Sequence, residues 1–143
     1  MINQFFGPYR FLSNFWPAEV KYDGHLFPSV ENAYVAAKCN NPLLYPEIAS
    51  LAPSAVKRYG RKVILRPDWE EVKVPIMRTL VCQKFEKHPD LMHALCSTHP
   101  EHLEEGNTWG DTFWGTCNGK GQNQLGKILM EIREELVRLY PHT

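Results

Sequence analysis

The sequence predicts a single, mainly α-helical domain carrying a small antiparallel hairpin, and three observations support that reading. Val20-Lys21-Tyr22 and His25-Leu26-Phe27 flank Asp23-Gly24, a pair that supplies the positive φ angles of a two-residue hairpin turn. Helix-start signals recur at Ser29, Pro53-Ser54, Pro67 and Asp90. Leu125, Ile128, Leu129, Ile132, Leu136 and Leu139 repeat at helical spacing near the C-terminus. A length of 143 residues, with no internal repeat or linker, fits one domain with a proper core.

In chain order, the segment 5–17 is dense in aromatics, and Gly7-Pro8 and Trp16-Pro17 mark turns in it. Its polar members are Arg10, Ser13 and Asn14; the last two either bond their own backbone or face a ligand. After the hairpin, Ser29 caps a helix from Val30 to about Lys38, with an apolar stripe of Val30, Ala33, Tyr34 and Ala37. Glu31 lies on another face in the first turn, and Lys38 points the same way two turns later. The helix dipole favours the ionised form of a first-turn carboxylate. Glu31 therefore suits an anion or base better than a proton donor, unless it merely helps the helix start.

Asn40-Asn41-Pro42 ends that helix. A short helix is expected around 43–51, then another from Pro53 towards Tyr59 with Gly60 as its C-cap. Arg58, Arg61, Lys62 and Arg66 form a basic cluster, either a solvated face or a phosphate site. Arg66-Pro67-Asp68-Trp69 opens the longest helical region, in which Pro75 predicts a kink or break. A short helix over 90–97 and a final one over 123–140 complete the list.

The stretch from Glu105 to Gly115 holds two tryptophans, a phenylalanine, three glycines, Asn107 and Asp111. Neither helix nor strand accommodates that mixture well. It reads as a shaped loop, either a packed aromatic corner or a holder for a flat polar ring attached to a sugar.

Composition narrows the function. Lysines plus arginines equal aspartates plus glutamates at sixteen each, which argues against a broad basic surface for non-specific nucleic-acid binding. No apolar run approaches a membrane span, and no signal peptide is evident, so a cytoplasmic protein without membrane partners is expected. Cys39, Cys82, Cys96 and Cys117 fit free thiols in a reducing compartment. His88, His93, Cys96, His99 and His102 cluster in sequence but match no zinc spacing, so no metal is expected.

Six segments taken together resemble the NADAR family of YbiA-like N-glycosidases. They are Phe11-Leu12-Ser13-Asn14-Phe15; Ser29-Val30-Glu31-Asn32-Ala33-Tyr34 with Ala37-Lys38; Leu65-Arg66-Pro67-Asp68-Trp69; Lys84-Phe85 with His88-Pro89; Glu105-Gly106-Asn107-Thr108-Trp109-Gly110-Asp111; and Asn123-Gln124-Leu125-Gly126-Lys127-Ile128-Leu129-Met130. The resemblance covers nearly the whole chain. It implies an α+β, mainly helical fold and hydrolysis of an N-glycosidic bond to ribose, without a cofactor. Its substrates would be phosphoribosylamino-pyrimidine intermediates of riboflavin synthesis, or ADP-ribose attached to guanine in DNA or nucleosides. By motif position, Glu31 is implied as the catalytic carboxylate and Asp111 as a second acid. Trp69, Asn107, Trp109, Gly110, Arg10, Asn14, Phe15, Lys38 and Arg66 are expected to bind substrate, the tryptophans by stacking and Arg10 or Arg66 through phosphate. Asn32 and Val35 depart from the family pattern, where histidine and glutamine are frequent. A non-catalytic module binding NAD or ADP-ribose derivatives is the alternative of a different class.

Overall fold

The computed structural model describes residues 1–141. Its elements, in order, are β1 (Val20–Tyr22), β2 (His25–Phe27), α1 (Val30–Cys39), α2 (Tyr45–Ser50), α3 (Pro53–Gly60), α4 (Trp69–Lys87), α5 (Pro89–Cys96), β3 (Gly106–Asn107), β4 (Thr116–Cys117) and α6 (Gln124–Leu139). Short 3-10 helices cover Gly7–Leu12 and Pro42–Leu44. The predicted α+β, mainly helical class holds. The chain clusters into two compact units, Asn14–Lys84 and Met1–Ser13 with Phe85–Thr143.

In the 14–84 unit the hairpin forms as the sequence predicts. Val20 pairs with Phe27 and Tyr22 with His25, around Asp23 and Gly24 at φ 51° and 77°. Tyr22 and His25 flank the turn as a hydrogen-bonded pair, so Lys21 directs its backbone N–H and C=O outward. The side-chain amide of Gln83 meets both: the Lys21 N–H donates to Oε1 at 2.9 Å, and Nε2 donates to the Lys21 carbonyl at 2.7 Å.

Helix α1 packs against the hairpin, α2 and α3. The expected apolar stripe is too narrow a description, because Asn32 through Ala37 are all buried. Asn32, one departure from the family pattern, is an internal fastener: its Nδ2 donates to the carbonyls of Ile48 and Leu51, both at 2.9 Å. Its N–H donates to the capping Ser29 hydroxyl at 3.1 Å. Asn40 ends the helix in the left-handed region.

Two expectations are corrected here. Gly60 is the last residue of α3, with no positive φ, and does not act as a left-handed cap. Its role is spatial: a Cβ there would sit 2.8 Å from Val35 Cγ2. Helix α4 runs unbroken through Pro75, so of the expected kink or break it is the break that does not occur. The carbonyl left without a helical donor is that of Glu71, and both residues are exposed, so water can serve it.

In the other unit, α5 packs on α6. Leu125, Ile128, Leu129, Ile132 and Leu136 are buried as expected, whereas Leu139, in the last turn, is exposed. The segment expected to be purely loop contains β3, whose parallel pairing with β4 sets Gly106 opposite Thr116 and Asn107 opposite Cys117.

Candidate active site

The 14–84 unit gathers Glu31, Asn14, Lys38 and Trp69 around α1. Glu31 is half-buried in the first turn, and its backbone N–H donates to the Asn14 carbonyl at 3.0 Å. That bond satisfies one of the unpaired donors of the helix start and ties the two residues together. The Asn14 amide rests on Met77 Sδ at 3.5 Å. Tyr34 and Lys38 follow Glu31 at helical spacing, three and seven residues on. Trp69 is only 5% exposed and meets Tyr34 edge to face at 5.1 Å between centroids. The Lys38 ammonium donates to the Gly60 carbonyl at 3.1 Å. Burial lowers its pKa, the Glu31 carboxylate opposes that shift, and the Arg61 charge adds to it. Glu31 and Arg61 are thus both electrostatic neighbours of one amine.

Phe15 is half-buried, with the Lys57 ammonium 5.6 Å from its ring centroid, within cation–π range. Arg66 is drawn into its own network. Its Nε and Nη2 donate to the two Asp68 oxygens at 2.7 and 3.2 Å, and Nη1 donates to the Tyr22 hydroxyl at 3.2 Å. It borders a cavity of about 490 Å³ whose walls include Tyr22, Val72 and Ile76.

The remaining site residues belong to the other unit. Asn107 is buried and closes the aromatic loop on itself, with Nδ2 donating to the Asp111 carbonyl at 2.9 Å and Oδ1 accepting the Asp111 N–H at 3.0 Å. The loop turns through Gly110 at φ 84°, a conformation that favours glycine. Asp111 Oδ1 accepts the N–H groups of Phe113 at 3.1 Å and Trp114 at 2.9 Å, so this oxygen shapes the turn. Trp109 stays 47% exposed. It lines a cavity of about 430 Å³ together with Phe6, Asn3, Gln4, Glu104 and Asn118. Arg10 lies exposed in the Gly7–Leu12 helix.

Sequence reasoning missed two features. Lys84 is almost completely buried in α4, and desolvation brings its pKa down to about 7. The available signal was its position among Leu80, Val81 and Phe85, on the apolar face of the helix. The second is the contribution of Asn3, Gln4 and Phe6 to the cavity beside Trp109, which no local pattern announces. Among the described residues, no three His, Cys, Asp or Glu side chains group as a metal site, and no helix is long and apolar enough to cross a membrane.

Comparison with known proteins matches the family model of the NADAR domain over residues 4–137. The chain is 39% identical over 132 residues to N-glycosidase YbiA of Shigella flexneri, covering 90% of this chain and 82% of the relative. It is 38% identical over 139 residues to an N-glycosidase of Nostoc punctiforme, covering 92% and 88%. A riboflavin biosynthesis protein of Vibrio vulnificus is 35% identical, aligning with 92% of this chain and 37% of its own length. The NMR structure of Escherichia coli YbiA superposes with a TM-score of 0.83 at 34% identity, covering all of this chain and 90% of the other. The chain belongs to the NADAR family.

Proposed function

We propose that this N-glycosyl hydrolase of the NADAR family cleaves the C1–N bond between ribose and a base or amine, with Glu31 as the working carboxylate. Cleavage passes through an oxocarbenium-like transition state, which a nearby carboxylate stabilises while it orients water. The observation that carries this reading is the arrangement around α1: the first-turn Glu31 carboxylate acts electrostatically on Lys38, and Tyr34 of the same helix meets Trp69 of α4 edge to face. Asn14 fixes the backbone under Glu31. Asp111 serves a ribose hydroxyl or delivers a proton through the oxygen that does not hold the turn. The reaction consumes water and calls for no cofactor.

The substrate we favour is a phosphoribosylamino-pyrimidine of riboflavin synthesis. The Vibrio vulnificus relative carries that pathway in its name. The even charge total also conceals a partition that supports a local phosphate site. Residues 14–84 hold ten lysines and arginines against seven acids, while the rest of the chain holds six against nine. Lys38, with Arg61 nearby, is a better phosphate partner than Arg66, three of whose donors already serve Asp68 and Tyr22. ADP-ribose on guanine is the second reading, favoured by the half-buried Lys57 and the exposed Arg58, Arg61 and Lys62 at the end of α3 and just beyond.

The experiment incubates wild type and Glu31→Gln with both substrate classes and scores the released base by mass spectrometry. Wild type should release the aminopyrimidine, and the variant should lose about a hundredfold or more in rate while keeping its fold. A well-folded Glu31→Gln protein with undiminished turnover would remove Glu31 from the mechanism. Tight nucleotide binding with no turnover on any glycoside would favour a binding module instead.

A further inference from the structure

We infer that the cavity beside Trp109 is a binding subsite for a planar, uncharged heterocycle with amide and amine edges. Two exposed aromatic residues line it, Phe6 at 53% and Trp109 at 47%, in a unit that buries the neighbouring Phe5. Exposed aromatics at a cavity supply flat apolar area at low entropic cost. Amides predominate in the polar lining, beside Thr108, Thr116 and Glu104. Asn3, Gln4 and Asn118 line the cavity, and their side-chain amides are not committed to any hydrogen bond among the described residues. Each amide offers both donors and an acceptor, the complement of a lactam or amidine edge. Asn107, by contrast, spends its amide on the loop.

The electrostatics select against phosphate. No lysine, arginine or histidine lines the cavity; its charges are the Glu104 carboxylate and the Met1 ammonium, and the ammonium is already paired with Glu101 at 2.8 Å. Glu104 is held by the Thr116 hydroxyl, which donates to Oε2 at 2.6 Å, and its Oε1 lies 3.6 Å from His102 Nε2. A fixed carboxylate accepts from an exocyclic amine and repels an anion.

The segment bearing Asn3, Gln4 and Phe6 is held in place. Ile2 donates to the His102 carbonyl at 2.9 Å and accepts from Glu104 at 2.9 Å, and the Asn3 carbonyl accepts from Gly106 at 3.1 Å. Ile2 is buried opposite Leu103, and alternation along an extended strand then turns Asn3 the other way. The kind of ligand named here rests on the N-glycosidase reading, but the geometry is tested by binding alone.

The test uses the full-length Glu31→Gln protein, titrated with 2,6-diaminopyrimidin-4-one and separately with ribose 5-phosphate. NMR follows the side-chain amides of Asn3, Gln4 and Asn118 and the Trp109 indole. The heterocycle should shift these resonances and the sugar phosphate should not. Phe6→Ala, and the pair Asn3→Ala with Gln4→Ala, should each weaken heterocycle binding about tenfold. Unmoved resonances, equal shifts with ribose 5-phosphate, or unchanged affinity in both variants would overturn the subsite. Heterocycle binding without wild-type turnover would uphold the subsite and sink only the glycosidase reading.

Discussion

The rings of Tyr34 and Trp69 meet edge to face, with centroids 5.1 Å apart and planes inclined at 60°. This contact joins the first residue of α4 to the middle member of the Glu31, Tyr34, Lys38 series on α1. Trp69 is therefore as much a packing residue as a wall for substrate. Trp69→Ala should cost about 3–5 kcal/mol in urea unfolding, whereas Trp69→Phe should retain most of the stability. If Trp69→Phe is stable yet binds substrate weakly, the indole contributes to recognition beyond packing.

Asp111 combines a charge with a turn-holding oxygen, and two substitutions separate these roles. Asp111→Asn keeps an acceptor for the Phe113 and Trp114 amides, so the fold should be retained. Asp111→Ala removes that acceptor and should destabilise the loop by about 1–3 kcal/mol. If Asp111 takes part in proton delivery, turnover should fall in both variants, including the stable one; full activity of Asp111→Asn would confine the residue to loop shape.

Gly60 leaves room for Val35. Gly60→Ala should destabilise by about 1–3 kcal/mol through overpacking, because the new methyl would lie 2.8 Å from Val35 Cγ2. Adding Val35→Ala should recover part of that loss. A double-mutant cycle showing strict additivity would contradict the proposed contact.

Lys84 should make stability depend on pH. Its folded pKa, about 7, lies below the ordinary lysine value of 10.5, so the unfolded chain binds the extra proton between those limits. Unfolding free energy should accordingly gain about 1.4 kcal/mol per pH unit from this residue as pH rises from 7 towards 10. Below pH 7 both states are protonated, and the burial penalty is full. Lys84→Met should remove this slope, as measured by paired urea melts at pH 7 and pH 9. Identical pH dependence in the two proteins would refute the prediction.

The sequence was most legible where the chemistry is local. Asp23-Gly24 specifies its turn through backbone angles, and Ser29 specifies its helix start through one hydroxyl, so neither depends on distant residues. Gly60 was misread because a capping glycine and one that makes room for Val35 look alike until the partner helix is placed. Pro75 does not break its helix because the cost depends on exposure, and both Pro75 and Glu71, whose carbonyl it strands, are exposed residues. Within the candidate site, Glu31 and Lys38 were readable from helical spacing, but the commitment of Arg66 to Asp68 and Tyr22 was not. The Asn3–Phe6 segment remained hidden because it gains its position by hydrogen bonding to residues about a hundred positions away.

The Gln83 amide presents to Lys21 the donor and acceptor pair that a neighbouring strand would offer. A two-stranded ribbon normally leaves such groups available to any extended chain that drifts past, which invites aggregation. Here the outer margin of β1 is already occupied at its midpoint by a helical side chain. An intruding peptide would have to evict that plug, losing two bonds before gaining its own, so the hairpin is a poor template for strand addition on that side.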